Sequence, residues 1–279
     1  MFADNLKALY RHYVIPNEIE QLYELEEQLN KENLSLTVIG LYPCTEFAPY
    51  AITPPDCIPF AETGGAGIHF AFLTEFGHVT DLREAPIICV SPTNDPPIRY
   101  IARNLKEFLD LVGSVPYAEM LEQFWDYSNE ALMQQEMQEF LNEAPADFTA
   151  NRQAVLARFQ RLFKTEQRHY LTYLHEVRQE RNENVAIKTL DGLGVLVQDV
   201  QQKPKLYDFS NVFTVNEEEL AKMREFLRGA NRFERLAFLR DVNYRFVLSK
   251  DNEKLLFDLI VQTLQEMDLQ VEVESMLAR

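Results

Sequence analysis

The chain has 279 residues, of which 46% are hydrophobic, and this length suits one large or two medium-sized globular domains. The formal net charge of −17 argues against nucleic acid or an anionic membrane surface as a partner, because neutralising phosphates requires clustered lysine and arginine side chains. The sequence contains no apolar run of about 18 residues, so we expect no membrane-spanning helix.

The amino terminus and the cysteines indicate the compartment. Met1–Lys7 carries an early acid and lacks an apolar block, so we expect no secretory signal. The three cysteines, Cys44, Cys57 and Cys89, cannot all pair, and none belongs to a C-x-x-C arrangement. Free cysteines are usually small buried hydrophobes, and their presence indicates a reducing, cytoplasmic environment.

The first 114 residues alternate helical and strand-like patterns. Apolar spacing predicts a short amphipathic helix near Leu6–Tyr13 and a second over Ile19–Leu29, with Asn17 and Glu20 arranged as a capping box. β-Branched and alternating residues predict five strands, and a helix closes the segment. The strands are predicted at about 35–41, 59–62, 68–74, 78–82 and 87–90, and the helix at about 97–112.

Helical periodicity dominates after residue 114. Long helical stretches are predicted at 115–142 and 147–182, and three or four helices at 216–278. Between them, 184–190 and 194–198 flank an Asp-Gly turn and predict one short β-hairpin. We therefore predict an α+β domain over residues 1–114, followed by a mainly helical domain over residues 115–279.

The glycine cluster Gly64–Gly67 has two readings. Exposed backbone amides could cradle a phosphate, but the dinucleotide fingerprint requires a helix after the glycines. Here Ile68, Phe70 and Phe72 alternate with smaller or polar residues, which predicts a strand. We therefore interpret the cluster as a tight turn that needs positive φ.

Neither the histidines nor the acid pairs form a catalytic or metal-binding pattern. His169 and His175 are six residues apart, which does not place both rings on one helix face, and no H-E-x-x-H motif occurs. His69 is predicted to project from the face of its strand opposite the apolar residues. We interpret all five histidines as surface or half-buried, and Glu217–Glu219 as complementing a helix dipole. We expect no catalytic residue, no metal ligand and no cofactor.

An aromatic run and a basic stripe in the second half could bind a partner. The run is Phe124–Tyr127, with Trp125 at its centre, and the stripe consists of Arg152, Arg158, Arg161, Lys164 and Arg168. Alternatively, the aromatic residues lie in the core and the stripe faces acids of the first segment. The second reading is the more economical.

Three stretches of the first segment, together with two opening helices and a strand, occur in a recognisable order. The first stretch runs from Ile58–Ala61 through Gly64–Gly67 to Ile68–Phe72. The second is Ala85–Val90, and the third is Ile101–Leu109. This order resembles the SUKH superfamily, which includes a fungal regulator of glucan synthesis and many bacterial immunity proteins. The resemblance covers residues 1–114 and implies a mixed sheet with flanking helices. The family commonly has an acidic residue directly after the glycines, where this chain has Ile68.

The resemblance implies a protein-binding module without catalytic activity. Bacterial relatives typically sit beside secreted toxins and neutralise them by direct binding, and an acidic immunity protein suits a basic nuclease because complementary potentials speed encounter. The partner would then be a toxin domain, met in the bacterial cytoplasm. The candidate contact residues are acids that flank the strands and turns: Glu46, Asp56, Glu62, Glu75, Asp81 and Glu84.

The sequence leaves two other functions open. The chain could be a regulatory or scaffold protein, as the fungal relatives suggest, with a partner site on the helical half at Trp125 or along Arg152–Arg168. A hydrolase-like enzyme assembled from scattered acids and histidines is the third possibility, and no motif supports it.

Overall fold

The structure, a computed structural model, describes residues 2–46, 48–196, 203–249 and 253–279. The described residues form eleven α-helices and one five-stranded sheet, so the predicted α+β class is confirmed. None of these helices is both long and apolar enough to cross a membrane.

The sheet is built entirely from the first segment, and its strands lie in chain order, each antiparallel to the next. The mixed sheet that the resemblance implies is therefore replaced by an antiparallel meander, because each pair of neighbouring strands is joined by a turn or loop rather than by a crossover helix. The elements are α1 (Phe2–Tyr10), α2 (Asn17–Asn30), β1 (Tyr42–Pro43), β2 (Cys57–Glu62), β3 (His69–Leu73), β4 (Ile87–Val90), β5 (Ile98–Ala102) and α3 (Leu105–Ser114).

Two predicted strands are wrong. Leu36–Ile39 is a 3₁₀ turn in place of the strand predicted at 35–41, because the Ser35 hydroxyl accepts from the Thr37 amide and Gly40 ends the turn at φ 69°. The strand predicted at 78–82 is a loop, which follows three left-handed residues, Glu75, Phe76 and Gly77.

The helix predicted at 97–112 divides into strand β5 and helix α3. Ile98 and Ile101 are β-branched and suit an extended chain that pairs with β4. Asn104 caps the helix that follows, since its side chain accepts from the Glu107 amide. The predicted capping box at Asn17 is also wrong, because Pro16 occupies the N-cap of α2.

The second half is helical, as predicted, but its long stretches are interrupted. The stretch at 147–182 breaks at Lys164, whose φ of 48° ends the first helix. Four helices follow residue 216, and one antiparallel bridge, Ile187 to Val195, stands where the hairpin is predicted; positions 197 and 198 of that hairpin lie outside the described residues. The helices are α4 (Met120–Gln123), α5 (Glu130–Glu143), α6 (Ala146–Phe163), α7 (Tyr170–Asn184), α8 (Glu217–Gly229), α9 (Arg232–Arg245), α10 (Lys254–Glu266) and α11 (Gln270–Leu277).

Both faces of the sheet are covered. On one face, Phe60, Phe72 and Phe108 pack in a cluster that also takes in Phe159 of α6 and Val177 of α7. This cluster therefore continues across the predicted boundary at residue 114. A second cluster joins α8 to α11, and a small third cluster covers the other face of the sheet with Cys57, Ala71, Ile88, Val90 and Leu193. All three cysteines are buried and free, as predicted.

The glycine cluster is the predicted tight turn between β2 and β3. Gly64, Ala66 and Gly67 have φ angles of 89°, 49° and 70°, and the Thr63 amide donates to the Ile68 carbonyl across the turn at 3.0 Å. Gly67 lies so close to Tyr50 that an added Cβ would stand 2.5 Å from its Cζ atom, whereas one on Gly64 would meet open space.

We predict that Gly67→Ala destabilises the fold more than Gly64→Ala. Both substitutions place an alanine at positive φ, at a cost of about 1 kcal/mol, and only Gly67→Ala adds a clash, which costs about 1–3 kcal/mol more. Urea unfolding of the two variants and the wild type measures the difference. Equal losses would show that Tyr50 moves aside freely.

Candidate functional site

Two of the six predicted contact residues are buried inside the molecule. Asp56 is 1% exposed and Glu75 is 8% exposed, so neither carboxylate is available to a partner on the surface. Both pair with Arg240 of α9, a residue far along the chain. The sequence shows these acids beside strands, and it does not show which basic residue arrives from the other half.

The guanidinium of Arg240 is the centre of a buried ion cluster, which consists of Arg240, Asp56, Glu75, Asp191 and Arg181. Its Nη2 atom lies 2.7 Å from Asp56 Oδ2 and 3.4 Å from Glu75 Oε2, and its Nη1 atom lies 3.3 Å from Asp191 Oδ2. Glu75 also pairs with Arg181 of α7 through its other oxygen. The cluster thus joins four separate parts of the chain around the end of the sheet.

The loop after β3 is shaped to deliver Glu75 to this cluster. Glu75 and Phe76 both adopt left-handed backbone angles, with φ of 52° and 53°, which cost a non-glycine residue about 1–2 kcal/mol each. The Phe76 side chain enters the apolar cluster of α8–α11, and its ring lies 4.9 Å from the Cζ atom of Arg240. The strained loop therefore connects the sheet to the helices by both an ion pair and an apolar contact.

Burial and charge act in opposite directions on the cluster. Burial raises the pKa of Asp56 to about 6, although the positive charge of Arg240 opposes the shift. Burial alone would lower the pKa of Arg240, but the three facing carboxylates raise it above its ordinary value, so the guanidinium remains charged. Each of the two arginines therefore faces at least one carboxylate of the cluster.

The half-buried Arg279 joins the loop before β2 to helix α9. Arg279 donates from Nη2 to the Thr53 carbonyl at 2.5 Å and from Nη1 to Asn243 Oδ1 at 2.6 Å and the Ala51 carbonyl at 3.1 Å. Burial lowers the pKa of Arg279 to about 10. These bonds hold the loop before β2 against α9.

The remaining four predicted contact residues lie at the surface in two separate places. Glu46 follows the edge strand β1, and Glu62 is half-buried at the end of β2. Glu62 pairs in register with Tyr42, so the two side chains share one face of the sheet. Asp81 and Glu84 lie in the exposed loop before β4, where Asp81 pairs with Arg83 at 2.6 Å.

Two exposed tyrosines accompany the acids at the edge strand. Tyr42 is 45% exposed and Tyr50 is 43% exposed, and the Tyr50 ring packs against Gly67 and stacks on His69. We call Tyr42, Glu46, Tyr50 and Glu62 the edge surface. Burial raises the pKa of Glu62 above its ordinary value, because its carboxylate lies partly beneath its neighbours.

His69 is more buried than the sequence predicts. It is fully enclosed in β3, its Nδ1 atom donates to the Gly67 carbonyl at 2.8 Å, and its Nε2 atom lies 3.4 Å from Thr53 Oγ1. Burial lowers its pKa to about 4, so the ring is neutral near pH 7. His69 therefore supports the glycine turn from inside.

Two residues of the basic stripe face acids of the first segment, as the economical reading predicts, whereas Arg161 and Lys164 are exposed. Arg158 pairs with Glu32 at 2.6 Å and Arg168 with Asp110 at 3.0 Å, while Arg152 is buried. Trp125 is half-buried, and its Nε1–H donates to the Tyr100 carbonyl at 2.9 Å. Within the described ranges, no three histidine, cysteine or acidic side chains are placed to hold a metal ion.

The sequence does not reveal Arg181, Asp191 and Arg240 as a group. The only signal is positional: Arg181 continues the buried spacing Tyr173, Leu174, Val177 on α7, and Arg240 follows Leu236 by one helical turn. A basic residue at an apolar position indicates a buried ion pair, but not its partner. Comparison of the chain with protein-family models and with curated proteins found no match.

We predict that Arg240→Met lowers the free energy of unfolding by about 3–5 kcal/mol, because it leaves buried carboxylates without their shared partner. The matched control is Arg83→Met, which removes the same charge from an exposed pair and should change stability little. Urea denaturation followed by circular dichroism measures both. Equal effects of the two substitutions would contradict a structural role for the cluster.

We predict that Asp241 makes the fold less stable as the pH rises from 5 to 8. Burial raises the pKa of Asp241 to about 7, with the charge of Asp191 adding to the shift and the Leu190 amide and Arg240 opposing it. The folded state therefore holds a proton that the unfolded chain has released by about pH 5, and the resulting stability is lost as the pH passes 7.

The measurement is unfolding at pH 5 and pH 8 for the wild type and Asp241→Asn, which keeps an oxygen to accept from Leu190. The variant should reduce the pH-dependent loss by on the order of 2 kcal/mol. Glu84→Gln, at an exposed acid, serves as the control and should follow the wild type. An unchanged pH dependence in Asp241→Asn would show that this carboxyl is ionised throughout.

Proposed function

We propose that the chain is a protein-binding module without catalytic activity, and that its partner is a basic toxin domain that it neutralises by direct contact. The observation that carries this proposal is the edge surface, where Tyr42 and Glu62 stand opposite each other on the outermost strand pair. The proposal places the protein in the bacterial cytoplasm, in line with its resemblance to SUKH immunity proteins.

The composition of the edge surface suits a protein interface. Tyrosines are enriched at the energetic centres of such interfaces, because each supplies a large contact area with a polar tip and few rotatable bonds. Tyr42 and Tyr50 provide two of them within one face, and the turn at Gly64–Gly67 projects beside Tyr50. Strand β1, Tyr42–Pro43, is also an outer strand of the sheet.

The charge distribution favours a basic partner. The first 114 residues hold 16 acidic and 7 basic side chains, within a chain of net charge −17. Long-range attraction of this kind raises association rates, whereas short-range contacts at the tyrosines determine how slowly the complex dissociates. A basic nuclease domain fits both requirements.

The alternative, a scaffold that binds through its helical half, would need groups that the fold already uses. Arg158 and Arg168 pair with acids of the first segment, and Trp125 donates to Tyr100. Of the stripe, Arg161 and Lys164 lie exposed at the surface.

The first experiment is co-purification from native lysate, with bound proteins identified by mass spectrometry, together with direct binding to a purified basic nuclease domain. A stoichiometric complex with the basic domain would support the proposal. A set of host regulatory proteins bound in its place would favour the scaffold.

We predict that the double reversal Glu46→Lys with Glu62→Lys weakens that complex by at least about tenfold at about 0.15 M salt, chiefly through faster dissociation. The matched control is Asp81→Lys with Glu84→Lys, which changes the net charge equally at a surface away from the edge strand. Tyr42→Ala tests the contact without changing charge and should weaken binding similarly. Equal effects of the two reversals, with no effect of Tyr42→Ala, would exclude the edge surface as the interface.

A further inference from the structure

A cleft of about 200 Å³ lies on the side of the molecule where strand β5, helix α7 and the turn around Gly192 meet. It takes no part in the proposed toxin interface, and no inference about it rests on that function. Tyr100 and Trp125 form aromatic walls, Ile98 and Leu193 add apolar surface, and Arg178 and Arg181 supply the charged groups. An added Cβ on Gly192 would meet nothing within 4 Å, so the approach on that side is open.

Arg181 lines this cleft, and one of its donor atoms is unsatisfied. The side chain is 6% exposed, its Nε atom donates to the Leu193 carbonyl at 2.6 Å, and its Nη1 atom pairs with Glu75. Its buried Nη2 atom has no hydrogen-bond partner among the residues that the structure describes. A buried donor without an acceptor costs about 1–3 kcal/mol, which an acceptor entering the cleft would recover.

Arg178 supplies a second donor group. Its guanidinium lies 4.6 Å from the Trp125 ring centroid, and its Nη1 atom donates to the Trp125 carbonyl at 3.2 Å. Over the described part of the chain, Arg178 forms no ion pair with a carboxylate. Stacking on an aromatic ring fixes the plane of a guanidinium but uses none of its N–H groups. These groups point outward in that plane, where their geometry matches the two oxygens of a carboxylate.

The acid nearest the cleft does not compete for these donors. Asp191 Oδ1 accepts from Thr189 Oγ1 at 2.5 Å and from the Leu193 amide at 3.0 Å, and its Oδ2 atom faces Arg240. Both carboxylate oxygens are therefore occupied. The donors left for a ligand belong to guanidinium groups, which favour an anionic acceptor over a neutral one.

We propose that this cleft binds a small aromatic carboxylate, with its carboxylate on Arg178 and Arg181 and its ring against Trp125 and Tyr100. The volume accommodates a single ring with a short substituent and excludes a nucleotide or a peptide of several residues. The apolar walls of the cleft favour a ligand with a ring, and the guanidinium nitrogens without a carboxylate partner favour a negatively charged group on it.

The chain contains one tryptophan, so its indole N–H resonance reports on this cleft alone. The full-length, ¹⁵N-labelled protein is titrated with benzoate to about 10 mM, and with benzamide, acetate and inorganic phosphate as separate probes. We expect benzoate to shift the Trp125 Nε1–H resonance saturably. Benzamide lacks the charge and acetate lacks the ring, so each should bind at least about tenfold more weakly, and phosphate should bind no more tightly than acetate.

Arg178→Met removes one donor and keeps the aliphatic stem, and it should weaken benzoate binding at least about tenfold. Arg161→Met, at an exposed arginine of α6, removes the same charge away from the cleft and should leave the affinity unchanged. Arg178→Lys keeps the charge without the planar fork and provides a second variant if Arg178→Met does not give a folded spectrum. The absence of a benzoate shift, equal binding of benzamide, or unchanged affinity in the Arg178 variant would each overturn the proposal.

Discussion

The structure depends on one buried guanidinium. Arg240 pairs with Asp56 before β2, Glu75 after β3 and Asp191 in the turn that follows α7, so a single side chain links both ends of a central hairpin to the helices. Three buried acids repel each other strongly unless a cation separates them. The sheet loops can therefore take their observed positions only when α9 is in place.

This requirement explains the backbone after β3. Glu75 and Phe76 remain in left-handed conformations because Glu75 is bound by Arg240 and Arg181, while Phe76 is held in the apolar cluster of α8–α11. Strain of this kind persists only where the surroundings over-determine it. The same loop also ends strand β3. The segment His78–Leu82, whose sequence pattern predicts a strand, therefore does not join the sheet.

Local features of the fold could be predicted from the sequence, and features that depend on distant contacts could not. Strand Ile87–Val90 and the turn at Gly64–Gly67 follow from β-branched residues and glycines that act within a few positions. Strand β5 could not be predicted, because the apolar residues of Ile98–Ala102 fit a helical spacing as well as an extended one. Pairing with β4 decides for the extended form. The candidate acids show the same limit, since only the arrival of Arg240 distinguishes the buried Asp56 from the exposed Glu46.

The placement of charge separates the parts of the molecule that determine stability from those available for recognition. Inside the fold, Asp56 and Glu75 pair with Arg240, whereas Glu62 at the edge strand pairs in register with the exposed Tyr42. A substitution that changes the charge of the edge surface should leave the ion cluster undisturbed, because strand β1 is joined to the sheet through backbone pairing with β2. A surface that varies independently of the core can be adapted to different partners while the fold is preserved. The cleft beside Trp125 lacks this independence, since its deepest arginine also holds Glu75. A ligand there would meet the same side chain that ties α7 to the cluster, so its binding energy would add directly to the stability of the folded chain.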